Sequence, residues 1–282
     1  QGDSRWNTTL IPNPLISTTW DKFMTKVLVS DEVAKNIVIY YADTMSVAKV
    51  MEKFNLGRHV VKRVLKENGV EPKRDNTKYT TRHDAFSHLS EEVAYWVGFI
   101  MADGNLHEHK SGSKVLQFEL SKKDESHLIK FKSFLRTEKP IYECKKRDAC
   151  ALAIHSKQIF SDLQYYGVTP RKSLTAEVKN ITEDMCRHFW RGVFDGDGHI
   201  KKSEYSICLT GSSLLCEQFS DFIFKTIGVR QSVKKYKDKN VYYISYTGKN
   251  SRKISELLYG DSNISLDRKL VVANEYIKRS EP

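Results

Sequence analysis

No apolar run in the 282-residue chain is long enough to cross a membrane, and no basic-then-apolar leader opens it. Membrane-spanning and secreted classes are set aside. The expected setting is the cytoplasm of a bacterial or phage-infected cell, or an organelle. Cysteine is scarce and unpaired. Cys144, Cys150, Cys186, Cys208 and Cys216 make an odd set with no CxxC spacing, which speaks against a zinc ribbon or a disulfide framework and for buried thiols in a reducing compartment. Acidic residues are in deficit, 35 against 46 Lys and Arg, for a net charge of +11. Such a surplus favours a polyanionic partner, although charge alone leaves a generic basic protein equally open. The chain opens on Gln1 rather than methionine, so residues up to about Asp21 are expected to include either added, non-native residues or an upstream segment.

What is present begins with a helical third. Residues 1–30 form an extension, loop-like at Ile11-Pro12-Asn13-Pro14, with helical spacing at Trp20, Phe23, Val27 and Leu28. From Asp31, apolar stripes predict three short helices. The first carries Val33, Ile37 and Tyr40-Tyr41. The second starts at Ser46 and carries Val47, Val50, Met51 and Phe54. The third follows the turn Asn55-Leu56-Gly57 and carries Val60, Val61, Val64 and Leu65. Two short helices joined by a glycine-containing turn match the helix-turn-helix pattern, so residues 31–70 are expected to form a DNA-binding domain that resembles those of recombinases and repressors. Arg58, His59, Lys62, Arg63 and Lys66 crowd the polar side of the third helix, which in that motif enters the major groove. A small bundle with a solvated basic face is the alternative. Residues 71–89 read as a basic linker, with Lys73 and Arg74 placed to track a phosphate backbone.

The remainder is a repeat. Tyr95-Trp96-Val97-Gly98-Phe99-Ile100-Met101-Ala102-Asp103-Gly104 returns as Phe189-Trp190-Arg191-Gly192-Val193-Phe194-Asp195-Gly196-Asp197-Gly198. Trp, Gly, Asp and Gly recur in register. Behind each copy the same order follows: alternating strands, a helix, a hairpin, and a second helix closed by glycine. The fold class is therefore α+β, with two pseudo-symmetric αββαββα half-domains over residues 90–180 and 181–282. Each supplies a four-stranded antiparallel sheet covered by helices on one face. The open face is expected to be basic and DNA-contacting, with Lys201, Lys202, Lys234, Lys235, Tyr242 and Tyr246 as its candidates.

Gly98 and Ala102 stand four apart, as do Gly192 and Gly196, which gives each helix a flat side where the other can approach closely. Asp103 and Asp197 then meet at two adjacent helix C-termini. Two carboxylates there repel each other at the negative ends of two helix dipoles, an arrangement a cation relieves. Hard oxygens near phosphate select Mg²⁺ or a similar ion, and paired sites of that kind cleave phosphodiesters. A single Asp-Gly would read as an ordinary helix cap; two in register do not.

These paired runs resemble the two LAGLIDADG motifs of single-chain homing endonucleases, over about residues 90–278. The resemblance implies two αββαββα halves forming a DNA saddle. It also implies a monomer that makes a site-specific double-strand break, each active site cutting one strand with Mg²⁺ or Mn²⁺; Ca²⁺ is expected to support binding without cleavage. The metal acids fall on Asp103 and Asp197, with the backbone of Ala102, Gly104, Gly196 and Gly198 beside them. The sixth motif letter, often Asp, is Met101 in one copy and Asp195 in the other. The basic residue that the family places beside the metal falls on Lys172 and Lys269, each in an Arg-Lys pair. Water-pocket positions fall near Lys122 and Gly211. A non-cleaving DNA-binding regulator and an intron RNA maturase stay open as alternatives. An intein-embedded form is disfavoured, since no splicing domain is evident around the module.

Overall fold

The computed structural model describes residues 28–44, 46–72, 79–172 and 175–278. The chain divides after Lys78 into two compact units. In the first, α1 (Asp31–Thr44), α2 (Val47–Phe54) and α3 (Arg58–Glu67) enclose Ile37, Tyr41, Val47, Val50, Val61, Val64 and Leu65. The Ser46 hydroxyl accepts from the Lys49 amide at 3.3 Å and so starts α2. Asn55, in the left-handed conformation at φ 50°, ends it, and Gly57 opens α3.

The second unit is built from the repeat. Its first half runs α4 (Glu91–Asp103), β1 (Gly104–Glu108), β2 (Lys114–Ser121), α5 (Glu125–Phe134), β3 (Tyr142–Cys144), β4 (Ala149–His155) and α6 (Lys157–Tyr165). The second half runs α7 (Cys186–Asp197), β5 (Gly198–Lys201), β6 (Ser206–Gly211), α8 (Ser213–Ile227), β7 (Lys234–Lys235), β8 (Tyr242–Thr247) and α9 (Gly248–Tyr259), with α10 (Asp267–Lys278) added. The two sheets have matching orders, β1-β2-β4-β3 and β5-β6-β8-β7, and every pairing is antiparallel. Alternation sets their inner faces: Leu106, Leu116, Phe118, Leu152 and Ile154 in the first, Ile200, Ile207, Leu209 and Ile244 in the second, all buried. One continuous core joins both halves, from Ala85 to Tyr276.

Two expectations need correction. Residues 79–89 are not linker. The Arg82 amide donates to the Leu135 carbonyl at 2.8 Å, and Phe86 is fully buried with its ring edge-on to Phe134 at 5.2 Å. The charges of residues 71–78 mask the apolar set Ala85, Phe86 and Leu89, whose burial favours docking on the first half. In β8, the register sets Tyr246 opposite Ile207 and Tyr242 opposite Gly211. Tyr246 shares the inner face with Ile244, packs edge-on to Phe219 and is buried; Tyr242 packs partly against the same core. The outward set is Tyr243, Ser245 and Thr247, with Lys234 paired to Tyr243. Lys235, paired to Tyr242, falls on the helix side of its strand, where its ammonium lies 5.7 Å from the Tyr242 ring.

Candidate active site

α4 and α7 pack at near-backbone distance because their glycines allow it. A methyl built on Gly98 would collide with the Phe189 carbonyl, and one on Gly192 would collide with the Tyr95 carbonyl and stand 2.7 Å from the Phe99 amide nitrogen. The close approach continues to the C-terminal ends, where Gly196 faces Ala102 and a methyl there would lie 3.1 Å from an Asp103 carboxylate oxygen. Both helices terminate on their aspartate, so Asp103 and Asp197 stand side by side where two helix dipoles are negative.

Both aspartates keep solvent-accessible surface, yet protein crowds them on several sides. Loss of solvent raises the Asp103 pKa against the opposing pull of Lys269 and Lys172. For Asp197 the same loss of solvent, reinforced by the Asp103 charge, pushes the carboxyl up to about 6.

The two lysines singled out from the Arg-Lys pairs are brought to this place. Lys172 and Lys269 are buried, and their ammonium groups donate to the carbonyls of Gly104 and Gly198, each in its own half. Lys269 donates also to the Phe194 carbonyl at 3.1 Å. Burial lowers both pKa values, that of Lys269 to about 8; the Asp195 charge, then those of Asp103 and Asp197, partly restore Lys269, and Asp197 and Asp103 partly restore Lys172. Beside Asp197 a cleft of about 190 Å³ is lined by Met101, Ala102, Lys172, Thr210, Gly211 and Val241 among others. Of the two expected water-pocket positions, Gly211 lines this cleft and Lys122 is not among its lining residues.

The donor set suits a hard divalent cation. Two accessible carboxylates with raised pKa values stand together, and at Asp197 the neighbouring Asp103 charge adds to the larger effect of lost solvent, a repulsion that a cation would relieve. Among the described residues no three His, Cys, Asp or Glu side chains gather into a cage. Of the expected donors, the Gly104 and Gly198 oxygens accept from the ammonium groups of Lys172 and Lys269, and the Asp103 and Asp197 carboxylates are solvent-accessible.

Residues 184–279 match the family model of the LAGLIDADG-like domain. Over 192 residues, 61% of its length, the chain is 26% identical to a DNA polymerase of Acanthamoeba polyphaga mimivirus, of which it spans 11%. Among solved structures it resembles the LAGLIDADG homing endonuclease I-LtrWI bound to target DNA, at 12% identity and TM-score 0.47, over 66% of this chain and 89% of that one. It also resembles the meganuclease I-SmaMI bound to uncleavable DNA, at 14% identity and TM-score 0.48, over 67% and 90%. I-SmaMI bound to uncleaved DNA with calcium ions matches at 14% identity and TM-score 0.44, over 61% and 85%.

Of the other expected DNA contacts, Arg58, His59 and Lys66 are exposed on α3, where Lys62 and Arg63 are half-buried. Arg63 lies 3.7 Å from Glu67, and Lys66 lies 3.5 Å from Glu71. Lys201 is exposed on the outward side of its sheet and pairs with Glu204 at 3.2 Å. Lys73, Arg74 and the side chain of Lys202 lie outside the described residues. Residue-by-residue reading missed Arg268, whose charge reaches Asp103 while its guanidinium bonds Asp124 at 3.0 Å. The signal was its place beside Lys269 in a repeated Arg-Lys pair. It also missed Tyr95 and Arg191, which showed only as an aromatic and a cation inside a motif.

Proposed function

We propose that the chain is a LAGLIDADG homing endonuclease that makes a metal-dependent double-strand break in a long DNA site. The observation that carries this reading is the pairing of two accessible aspartates at adjoining helix ends, each half adding a buried lysine. A divalent cation held by Asp103 and Asp197 supplies Lewis-acid stabilisation of charge developing on a scissile phosphate. The protein supplies the rest. The carboxylates are fixed at the ends of two helices that cannot separate without giving up their close packing at glycine. Lys269, with a pKa near 8, holds a proton at Nζ near neutrality and presents positive charge to a phosphate. Lys172, its pKa also lowered by burial, holds the matching place in the first half. Two such assemblies, one per half, suit two strands of one duplex.

The outward sheet residues Lys201, Lys234, Tyr243, Ser245 and Thr247 offer hydrogen bonds and charge to DNA, and α3 of the first unit offers a second basic element with helix-turn-helix spacing. The protein acts as a monomer, since both active-site halves are on one chain.

The test is cleavage of a randomised duplex library in Mg²⁺ or Mn²⁺, with the ends sequenced to find the target. Asp103→Asn and Asp197→Asn are then assayed on that target with each strand labelled. Each variant is expected to lose cleavage of at least one strand while binding DNA in Ca²⁺ as the wild type does. Full Mg²⁺-dependent cleavage of both strands by both variants would remove the catalytic assignment. A wild type that binds one site tightly and cuts neither strand would mark a DNA-binding regulator instead.

A further inference from the structure

Within the repeated run from Tyr95 to Gly104 and from Phe189 to Gly198, two of the differences add charge, and both of those point at one loop. Where α4 has Val97 and Met101, α7 has Arg191 and Asp195. Asp195 is fully buried and receives three donors: the Tyr259 hydroxyl at 2.6 Å, the Tyr95 hydroxyl at 2.6 Å and the Leu266 amide at 2.7 Å. Arg191, one helical turn earlier and also buried, donates to the Ile264 carbonyl at 2.8 Å. The pair therefore grips residues 264 and 266 from beneath. Leu266 opens the first turn of α10, and its carbonyl accepts from the amides of Lys269 at 2.9 Å and Leu270 at 3.0 Å. The first half holds the same stretch from the other side. Lys130 donates to the Ser265 carbonyl at 3.0 Å, Ser126 to Asp267 at 3.0 Å and Arg268 to Asp124 at 3.0 Å.

We propose that Asp195 is a positioning residue for Lys269, so that the second half's active site is built on a polar clamp that Met101 cannot provide in the first. The proposal rests on the nuclease reading for its consequence, which is that the two strands of a target depend unequally on this clamp. Asp195 does not touch the substrate. It accepts the Leu266 amide, which fixes the turn from which Lys269 reaches the Phe194 and Gly198 carbonyls at the end of α7. Met101 is buried in the matching place with no oxygen to offer.

The experiment uses the full chain, a target with each strand labelled, and the variants Asp195→Asn, Asp195→Met and Tyr259→Phe, each first checked for cooperative unfolding. Lys269→Met identifies which strand the second lysine serves. Asp195→Asn is expected to slow that strand about 10–100-fold, the loss common when a supporting group is removed from a functional shell. The other strand should stay within about twofold, and DNA affinity in Ca²⁺ should be unchanged. Asp195→Asn added to Lys269→Met should slow that strand no further. Tyr259→Phe removes one donor and keeps the ring, so it should slow the same strand by less and serves if the Asp195 variants do not fold. Equal slowing of both strands, or additivity with Lys269→Met, would overturn the proposal. Amide exchange of the metal-free protein gives a readout without cleavage: Leu266 and Lys269 should exchange faster in Asp195→Asn, with Thr169 to Arg171 unmoved. If the wild type cuts neither strand the nuclease reading fails, and the exchange result alone decides whether Asp195 holds the turn.

Discussion

Asp197 is a carboxylate kept where its charge is least favoured, with a pKa of about 6 against 3.8 in an unstructured chain. The sign of its effect on stability follows. Below pH 4 both folded and unfolded forms are protonated and no penalty exists. Between pH 4 and 6 the unfolded chain ionises while the folded one resists, so folding loses free energy as pH rises, and the loss persists above 6. Asp197→Asn removes it. In metal-free buffer the variant's melting temperature relative to wild type should therefore rise from pH 4 to pH 7; a difference that stays constant would show that the carboxyl is not perturbed. Divalent ions should oppose the same penalty, so the melting-temperature increase given by Ca²⁺ should be large at pH 7.5 and small at pH 5, where protons compete for the carboxylate. The lysines have the opposite logic. Burial lowers Lys269 to about 8, so its charge is lost on the alkaline side. If charge on phosphate is its role, cleavage of the strand it serves should fall as pH rises past about 8, measured as single-turnover rate against pH.

At the scale of elements, the α4–α7 seam was the most legible part of the chain. Spacing alone put Gly98, Ala102, Gly192 and Gly196 on facing sides, and a methyl at Gly98 or Gly192 collides with backbone atoms that cannot rotate away. Gly192→Ala should therefore lower unfolding free energy by about 3 kcal/mol, the upper part of the range for overpacking, in a denaturant titration. An effect under about 1 kcal/mol would mean that the helices can part, and the two aspartates with them. Other elements were less legible for physical reasons. β8 has tyrosine on both sides of its pleat, at positions 242, 243 and 246, so hydrophobicity does not choose a face. The buried Ile244 and the pairing to β6 choose it, and that pairing is long-range. Residues 79–89 misled for a different reason: a charged run next to a short apolar set averages to polar, though Ala85 and Phe86 are buried and the Arg82 amide bonds the Leu135 carbonyl. The Arg191–Asp195 clamp was invisible because its partners lie in a loop far along the chain. The letter at position 195 was visible; what it grips was not.

At the scale of the molecule, the chain divides after Lys78, and the apolar core of residues 85 to 276 includes none of the first unit's buried side chains. The second unit thus has the core it needs to fold by itself. The first brings a separate basic element, so any affinity it adds comes through tethering: a second hold on the same DNA is made at an effective concentration set by the connection rather than by bulk. Removing residues 1–78 should leave metal-dependent cleavage of the bound site intact, weaken binding, and shorten the nuclease-protected footprint on one side only. For every phosphate that the first unit neutralises, its removal should also flatten the dependence of affinity on salt, by about 0.9 in the slope of log K against log salt. The two measurements separate the alternatives for α3. A helix that reads DNA shortens the footprint and flattens the slope together. A solvated basic face acting at a distance changes the slope and leaves the footprint as it was, and that result would remove the first unit from the DNA-binding surface.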